Sequence, residues 1–263
     1  MDDVSGFLRG AKRAPRGTVA ITVDDGYRDF YLHAYPVLKL YGIPATVYLA
    51  TDFIDGAMWP WWDRISYAFL RTPLTAVDLP INGGTMQCRF SRDGSRAVEA
   101  ERVMEAMKTV PNAHRLELMA RLPELLRVDI PSTAPAGSQP LSWDEIREMA
   151  GNGISFGGHT KSHPILSMLE TCEQVQDEIE GCRDRLAQEL GRPPLHFAYP
   201  NGRRQDVTES VREAVARAGF VTAVTTESGF NDTGADLFQI RRISMEPNLP
   251  RLYFRQQVAG FRV

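Results

Sequence analysis

Apolar and polar positions alternate along this chain in two rhythms, one of strands and one of helices. Residues 18–24, Thr-Val-Ala-Ile-Thr-Val-Asp, are a β-branched run closed by acidic residues and glycine, the pattern of a fully buried strand. The spacing then predicts a helix over 29–41, stopped by Gly42, and a second buried strand over 44–50. Strand, helix and strand within about 35 residues make a βαβ unit, and two near-continuous apolar strands imply a parallel sheet covered on both faces.

The rhythm returns late in the chain. Ser142-Trp-Asp-Glu145 is a capping box that opens a short helix to about 150, followed by a strand at 153–157, a long helix at 171–190 and a strand at 195–199. A helix at 206–218, a strand at 220–225 and a last strand at 238–243 complete the series. Alternating strands and helices at both ends predict an α/β fold with a parallel sheet. Residues 55–140 break the pattern with a Trp59-Pro-Trp-Trp62 cluster, a hairpin (77–81 and 85–90, joined by Asn82-Gly-Gly84), helices at 95–108 and 112–127, and a Pro/Ser/Thr-rich loop at 131–140. This stretch reads as an insertion whose amphipathic helices pack on one edge of the sheet, not as a second domain.

Composition narrows the function classes. The 263 residues are 43% hydrophobic and 24% charged, which excludes a collagen, a coiled-coil rod or a disordered tail and suits one barrel-sized domain or two smaller ones. The net charge of −3, with Lys and Arg interspersed among acids, offers no basic stripe, so nucleic acid is not expected as a partner. No apolar run approaches the roughly 18 residues of a transmembrane span, and the start, Met-Asp-Asp-Val-Ser-Gly, lacks the signal-peptide pattern. Cys172 and Cys182 fall in one predicted helix, about 15 Å apart and too far for a disulfide. Free thiols and the absence of a leader pattern lead to the expectation of a cytoplasmic protein.

Three short segments carry chemistry, each at a predicted strand end. Asp24-Asp25-Gly26 places two carboxylates where adjacent side chains diverge, so that one can serve a metal and the other a water; the same three residues also make an ordinary turn. Gly157-Gly158-His159-Thr160-Lys161-Ser162-His163 holds two of the five histidines four residues apart, on one face of a helical turn where both can reach one ion; a chance pair in a solvated loop is the alternative. With Asp25 as a third ligand the set leaves a position open, as catalytic zinc needs and structural zinc does not. His196-Phe-Ala-Tyr199-Pro200-Asn-Gly202 ends a strand in a sharp turn that either leaves a backbone N–H for an oxyanion or is a plain strand-to-helix turn.

Together and in this order the three segments resemble the polysaccharide deacetylase family, also known as NodB-homology or carbohydrate esterase family 4 proteins, over residues of about 18–50 and 140–245. The resemblance implies one domain over 1–263 with an insertion at about 55–140. Its fold would be a distorted (β/α) barrel of about seven strands, with the site at the C-terminal strand ends. It implies that Asp25, His159 and His163 hold a divalent metal, usually zinc. Asp24 would take a proton from water at the metal, and the Tyr199 backbone N–H would help stabilise the oxyanion.

Departures from the family pattern matter as well. The third motif lacks the arginine that in many members pairs with the base; Arg241 or Arg242 can fill that role from the last strand, and Arg242 is favoured because Arg-Ile recurs there. No histidine follows His196, so the late histidine that serves many members as general acid is missing, leaving His196, protonated Asp24 or another group. His33 and His114 lie on predicted helices as packing or surface residues. Trp62, Asp63 and Pro200 are candidate substrate contacts; the tryptophans equally suit an anchor for the insertion, and Asp63 a helix cap.

The expected activity is metal-dependent removal of an N-acetyl group from an amino sugar in a saccharide, glycolipid or related intermediate. A sugar deformylase or O-acetyl esterase would share every one of these residues. A saccharide-binding module without turnover is the alternative from another class, motivated by the two departures. Neither oligomeric state nor the sugar is readable from the sequence.

Overall fold

The computed structural model of the chain describes residues 1–15, 17–90, 95–245 and 249–259. Helix α1 (Asp2–Leu8) precedes strand β1 (Ile21–Val23); a π-helical turn at Phe30–Ala34 then runs into α2 (Tyr35–Tyr41). Gly42 ends α2 in the left-handed conformation, φ 62°, as its sequence position predicts. Strand β2 (Ala45–Leu49) and the short α3 (Thr51–Ile54) follow. The insertion contributes α4 (Trp61–Arg71), the hairpin β3 (Ala76–Ile81) and β4 (Gly84–Arg89), α5 (Ser95–Met107) and α6 (Asn112–Leu126).

The second half runs α7 (Trp143–Ala150), β5 (Ile154–Gly158), α8 (Cys172–Leu190), β6 (His196–Ala198), α9 (Glu209–Arg217), β7 (Thr222–Ser228), β8 (Ile240–Arg242) and α10 (Arg251–Val258). Ser142 and Glu145 form the expected capping box on α7, and Thr171 with Gln174 forms another on α8. Cys172 and Cys182 are both free thiols on α8.

Among the described residues six strands form one parallel sheet in the order β1-β2-β5-β6-β7-β8, where about seven strands were expected. The sheet curls into a half-barrel. Its two edges, β1 and β8, do not pair with each other, yet Arg242 at the end of β8 reaches Asp24 just beyond β1 at 2.7 Å. β2 is buried at all five residues, with Val47 beside Phe156 of β5, as a central strand with helices on both faces should be. β1 departs from expectation. It is three residues long, not seven, and Ile21 is 38% exposed, because an edge strand has a neighbour on one side only.

Helix α1 closes the end of the half-barrel where the strands begin. Leu8 packs with Tyr48, Ala198, Val224 and Ile240, and the Met1 ammonium reaches the Thr46 hydroxyl at the start of β2. The insertion helices do not pack on an edge of the sheet as expected. α4, α5, α6 and the hairpin bury their apolar faces against one another, around Ile65, Phe69, Leu79, Val103, Leu122 and Leu126. The amphipathic faces of α5 and α6 find enough apolar surface within the insertion itself. The loop between α6 and α7 ties it back to the mouth: Arg28 N–H donates to the Gln139 carbonyl and Leu141 N–H to that of Gly26, both at 2.9 Å.

Close backbone approach fixes the centre of the sheet. A Cβ on Gly157 would lie 2.6 Å from the His196 carbonyl oxygen and 2.6 Å from the Tyr48 ring. Gly157→Ala is expected to destabilise the fold by about 1–3 kcal/mol, read as a lower midpoint at unchanged slope in urea unfolding.

Candidate active site

All three motifs lie where a strand ends. β1 stops at Val23, and the next two residues turn their carboxylates in different directions. Asp24 accepts both arms of the Arg242 guanidinium, Oδ1 and Oδ2 each at 2.7 Å. Arg242 is fixed from its other side, its Nε donating to the Thr225 carbonyl at 2.8 Å. Burial works against the Arg242 charge, but the bonds to Asp24 outweigh it and raise its pKa, so the guanidinium stays charged beside the carboxylate. Arg242, not Arg241, therefore stands where the third motif lacks an arginine; Arg241 instead bonds Asn231 through its backbone.

Asp25 points the other way. Its Oδ1 lies 3.3 Å from His159 Nε2 and 3.3 Å from His163 Nε2, and those two nitrogens are 3.1 Å apart. Three donors held at a tetrahedral ion's bond lengths are themselves separated by about 3.3 Å, so this triangle has the size that such an ion requires. Among the described residues these three form the group able to share an ion. His159 Nδ1 lies 2.7 Å from the Ala198 carbonyl, which can only accept, so Nδ1 carries the proton and Nε2 turns its lone pair toward the other two donors. A carboxylate and two imidazole nitrogens this close need a cation among them, a proton or a metal ion, and the donor types and spacing fit a divalent metal.

The two imidazoles hold the Asp25 carboxyl well below the usual carboxylate range, although burial alone would raise it. Burial lowers the pKa of His163, favouring the neutral ring a metal needs.

The His159–His163 segment is a loop, not the expected helical turn. Thr160 and His163 both take left-handed conformations, φ 66° and 55°. Asp25 (φ 73°) and Asn201 (φ 58°) do the same, so four of the six non-glycine residues with positive φ among the described residues lie in the three motifs. Such strain persists only where surroundings over-determine it. Here Thr160 Oγ1 accepts from His163 N–H at 3.0 Å, and the Thr51 and Asp52 N–H groups of α3 donate to the Thr160 and Lys161 carbonyls. Glu178 of α8 supplies the third hold: its Oε2 accepts from Lys161 N–H at 2.9 Å and Ser162 N–H at 2.8 Å, while Oε1 takes the Ser162 hydroxyl. The sequence reading missed Glu178, since only the fold brings the middle of α8 against this loop.

The remaining candidates divide. Tyr199 N–H donates to the Val224 carbonyl at 3.2 Å, extending the β6–β7 ladder by one bond, so it is not free to serve an oxyanion. Pro200 is buried and shapes the turn to Gly202 instead of facing a ligand. His196 is at the wrong end of β6, held between Thr222 Oγ1 (2.7 Å) and Asp2 Oδ1 (2.9 Å) beside α1, which removes it as a proton donor. Trp59 and Trp61 are buried, as anchors should be. Trp62 is half-buried and meets the His163 ring edge-on, centroids 4.5 Å apart. Its Nε1–H donates to Tyr27 Oη at 2.8 Å, and Tyr27 O–H donates to Asp63 Oδ2 at 3.0 Å. The insertion thus reaches the donor cluster through Trp62 and Asp63.

Three protein donors, one short of a closed tetrahedral set, suit an ion that acts on a substrate, beside a carboxylate clamped by arginine, on a half-barrel whose strand ends form the site. The comparisons with known proteins agree: the polysaccharide deacetylase family model matches residues 11–223, and the chain belongs to that family of hydrolases. It is 22% identical over 247 residues to the Bacillus subtilis (strain 168) protein YxkH, covering 94% of this chain but 58% of that protein's length. Among solved structures, the Streptococcus pyogenes deacetylase PplD in complex with acetate is similar at a TM-score of 0.62 and 20% identity, over 98% of this chain and 77% of that one. IcaB from Ammonifex degensii gives 0.59 and 17%, over 98% and 78%. At these identities the structural likeness speaks for the fold.

Glu178→Gln keeps the shape of the side chain but turns an N–H₂ toward donors of the loop. It is expected to weaken divalent-metal binding by about 10–100-fold in a chelator competition, and to lower the melting temperature of the metal-free protein by a few degrees, since the strained loop loses part of its hold.

Proposed function

We propose that this chain is a metal-dependent deacetylase that removes the N-acetyl group from an amino sugar within a saccharide, with zinc as its metal. The observation that carries this reading is the division of labour between adjacent residues, Asp25 in the donor triangle and Asp24 clamped by Arg242. Asp25, His159 and His163 would hold the ion. When bound, it supplies a Lewis acid that polarises the acyl carbonyl and brings the pKa of water toward neutrality.

The chain's own residues do the rest. Asp24 accepts the proton of the attacking water at a carboxylate oxygen, and Arg242 fixes the angle of that carboxylate. The Ala198 carbonyl holds His159 in the tautomer that leaves Nε2 free. Trp62, its ring against His163, presents an aromatic surface on which a sugar face can stack. Arg242 supplies the pairing whose apparent absence from the third motif had favoured a module without turnover.

Acetate release from N-acetylated amino-sugar oligomers tests the reading. Asp24→Asn is expected to lower kcat by about 10²–10⁴-fold while one equivalent of zinc stays bound by elemental analysis. Formate release, or turnover confined to O-acetyl esters, would replace the acyl group or bond in this proposal; stoichiometric zinc with no acyl release from any acetylated sugar would overturn it.

A further inference from the structure

The reaction proposed above, on which this inference rests, breaks a C–N bond, and the leaving nitrogen needs a proton. None of the five histidines can bring it. His159 and His163 belong to the donor triangle, His196 is sequestered with Asp2 and Thr222 at the strand starts, and His33 and His114 are exposed on the π-helical turn and on α6. Glu178 spends both carboxylate oxygens on the back of the histidine loop. Asp24, with both oxygens on Arg242, takes a proton in the first step, and return of that proton to the amine is the rival route, which unchanged amide kcat in Asp63→Asn would establish.

Among the described residues another carboxyl stands beside the donor cluster. Asp63 stands at the first turn of α4, next in sequence to Trp62, whose ring lies against His163. Tyr27, two residues after Asp25, donates its phenolic proton to Asp63 Oδ2 and receives the Trp62 indole N–H, so both α4 residues are tied to the Asp24-Asp25-Gly26 turn. A carboxyl that only capped α4 would accept from the helix's own N–H groups; α4 has no side-chain cap, and Asp63 is instead turned to Tyr27.

We propose that Asp63, oriented by Tyr27, is the catalytic acid that protonates the leaving amine. As the C–N bond breaks, its electron pair goes to nitrogen, which takes the proton from the Asp63 carboxyl and leaves as a neutral amine. Asp63 becomes a carboxylate and is reprotonated from solvent, Asp24 gives up to solvent the proton it took from the water, and the water's oxygen ends in the carboxylic acid product. Half-burial raises the Asp63 carboxyl from its ordinary value, outweighing hydrogen bonds from Tyr27, Ser138 and Trp59, and the nearby Asp25 charge adds to the rise.

The test compares two leaving groups on the zinc-loaded full chain: an N-acetylated amino-sugar oligomer, whose amine must be protonated, and para-nitrophenyl acetate, whose phenolate leaves without a proton. Asp63→Asn is expected to lower kcat on the amide about a hundredfold or more with KM little changed, and to leave the aryl-ester rate within about threefold of wild type. Equal losses on both substrates, or a raised KM at unchanged kcat, overturn the proposal and make Asp63 a structural or sugar-binding residue. If Asp63→Asn folds poorly or loses zinc, Tyr27→Phe carries the same comparison: loss on the amide but not the ester supports an oriented acid, and parallel loss overturns it. A wild-type protein that releases acetate from neither substrate overturns the deacetylase reading itself, and this proposal with it.

Discussion

Arg242 and Asp24 are 218 residues apart in the chain and stand on opposite edges of an open sheet, yet their side chains meet in a two-armed contact. A guanidinium presents its donors in a rigid plane, so a bidentate pair with a carboxylate fixes angle as well as distance. Both groups are largely withdrawn from water, and separating them would leave a poorly solvated charge on each edge. The curl of the half-barrel and the orientation of the proposed base are therefore one constraint, satisfied once. Thr225 and Thr22, which also touch the guanidinium, lie on or against the two edge regions that it joins.

The donor triangle depends on a second kind of constraint, backbone conformations that the chain would not choose locally. A β-branched threonine and two metal-facing residues adopt left-handed geometry, each at a cost of order 1–3 kcal/mol that packing elsewhere must offset. α3 and α8 do this through hydrogen bonds to the loop backbone, from the α3 N–H groups and to the Glu178 carboxylate. A site held this way is set in place before any ion arrives, so binding need not order the loop.

The insertion joins the two halves of the site to a separate body. Its core contains no residue of the six-stranded sheet, and it meets the donor cluster at the start of α4, where Trp61 turns inward to that core and Trp62 and Asp63 turn toward the mouth. None of the three motifs falls in this stretch, although the family model runs through it, from residue 11 to residue 223, where the sequence resemblance had been expected to skip it.

Much of the fold was legible because it rests on local rules. The buried run at 45–49, the capping box at Ser142, the Gly42 stop and the Asn82-Gly83 turn all follow from residues within a few positions of one another. The donors Asp25, His159 and His163 were readable too, because metal chemistry restricts the residue types and strand ends restrict their places. The tertiary structure alone decided matters of long-range partnership. It made β1 an exposed edge, turned the Tyr199 N–H into the ladder, and sent His196 to Asp2 at the far end of its strand. It also set Glu178 behind the histidine loop and brought Asp63 to Tyr27. A side chain's type is written in the sequence, but the partner of a hydrogen bond between residues distant in the chain is fixed only when the sheet has curled and the helices have packed.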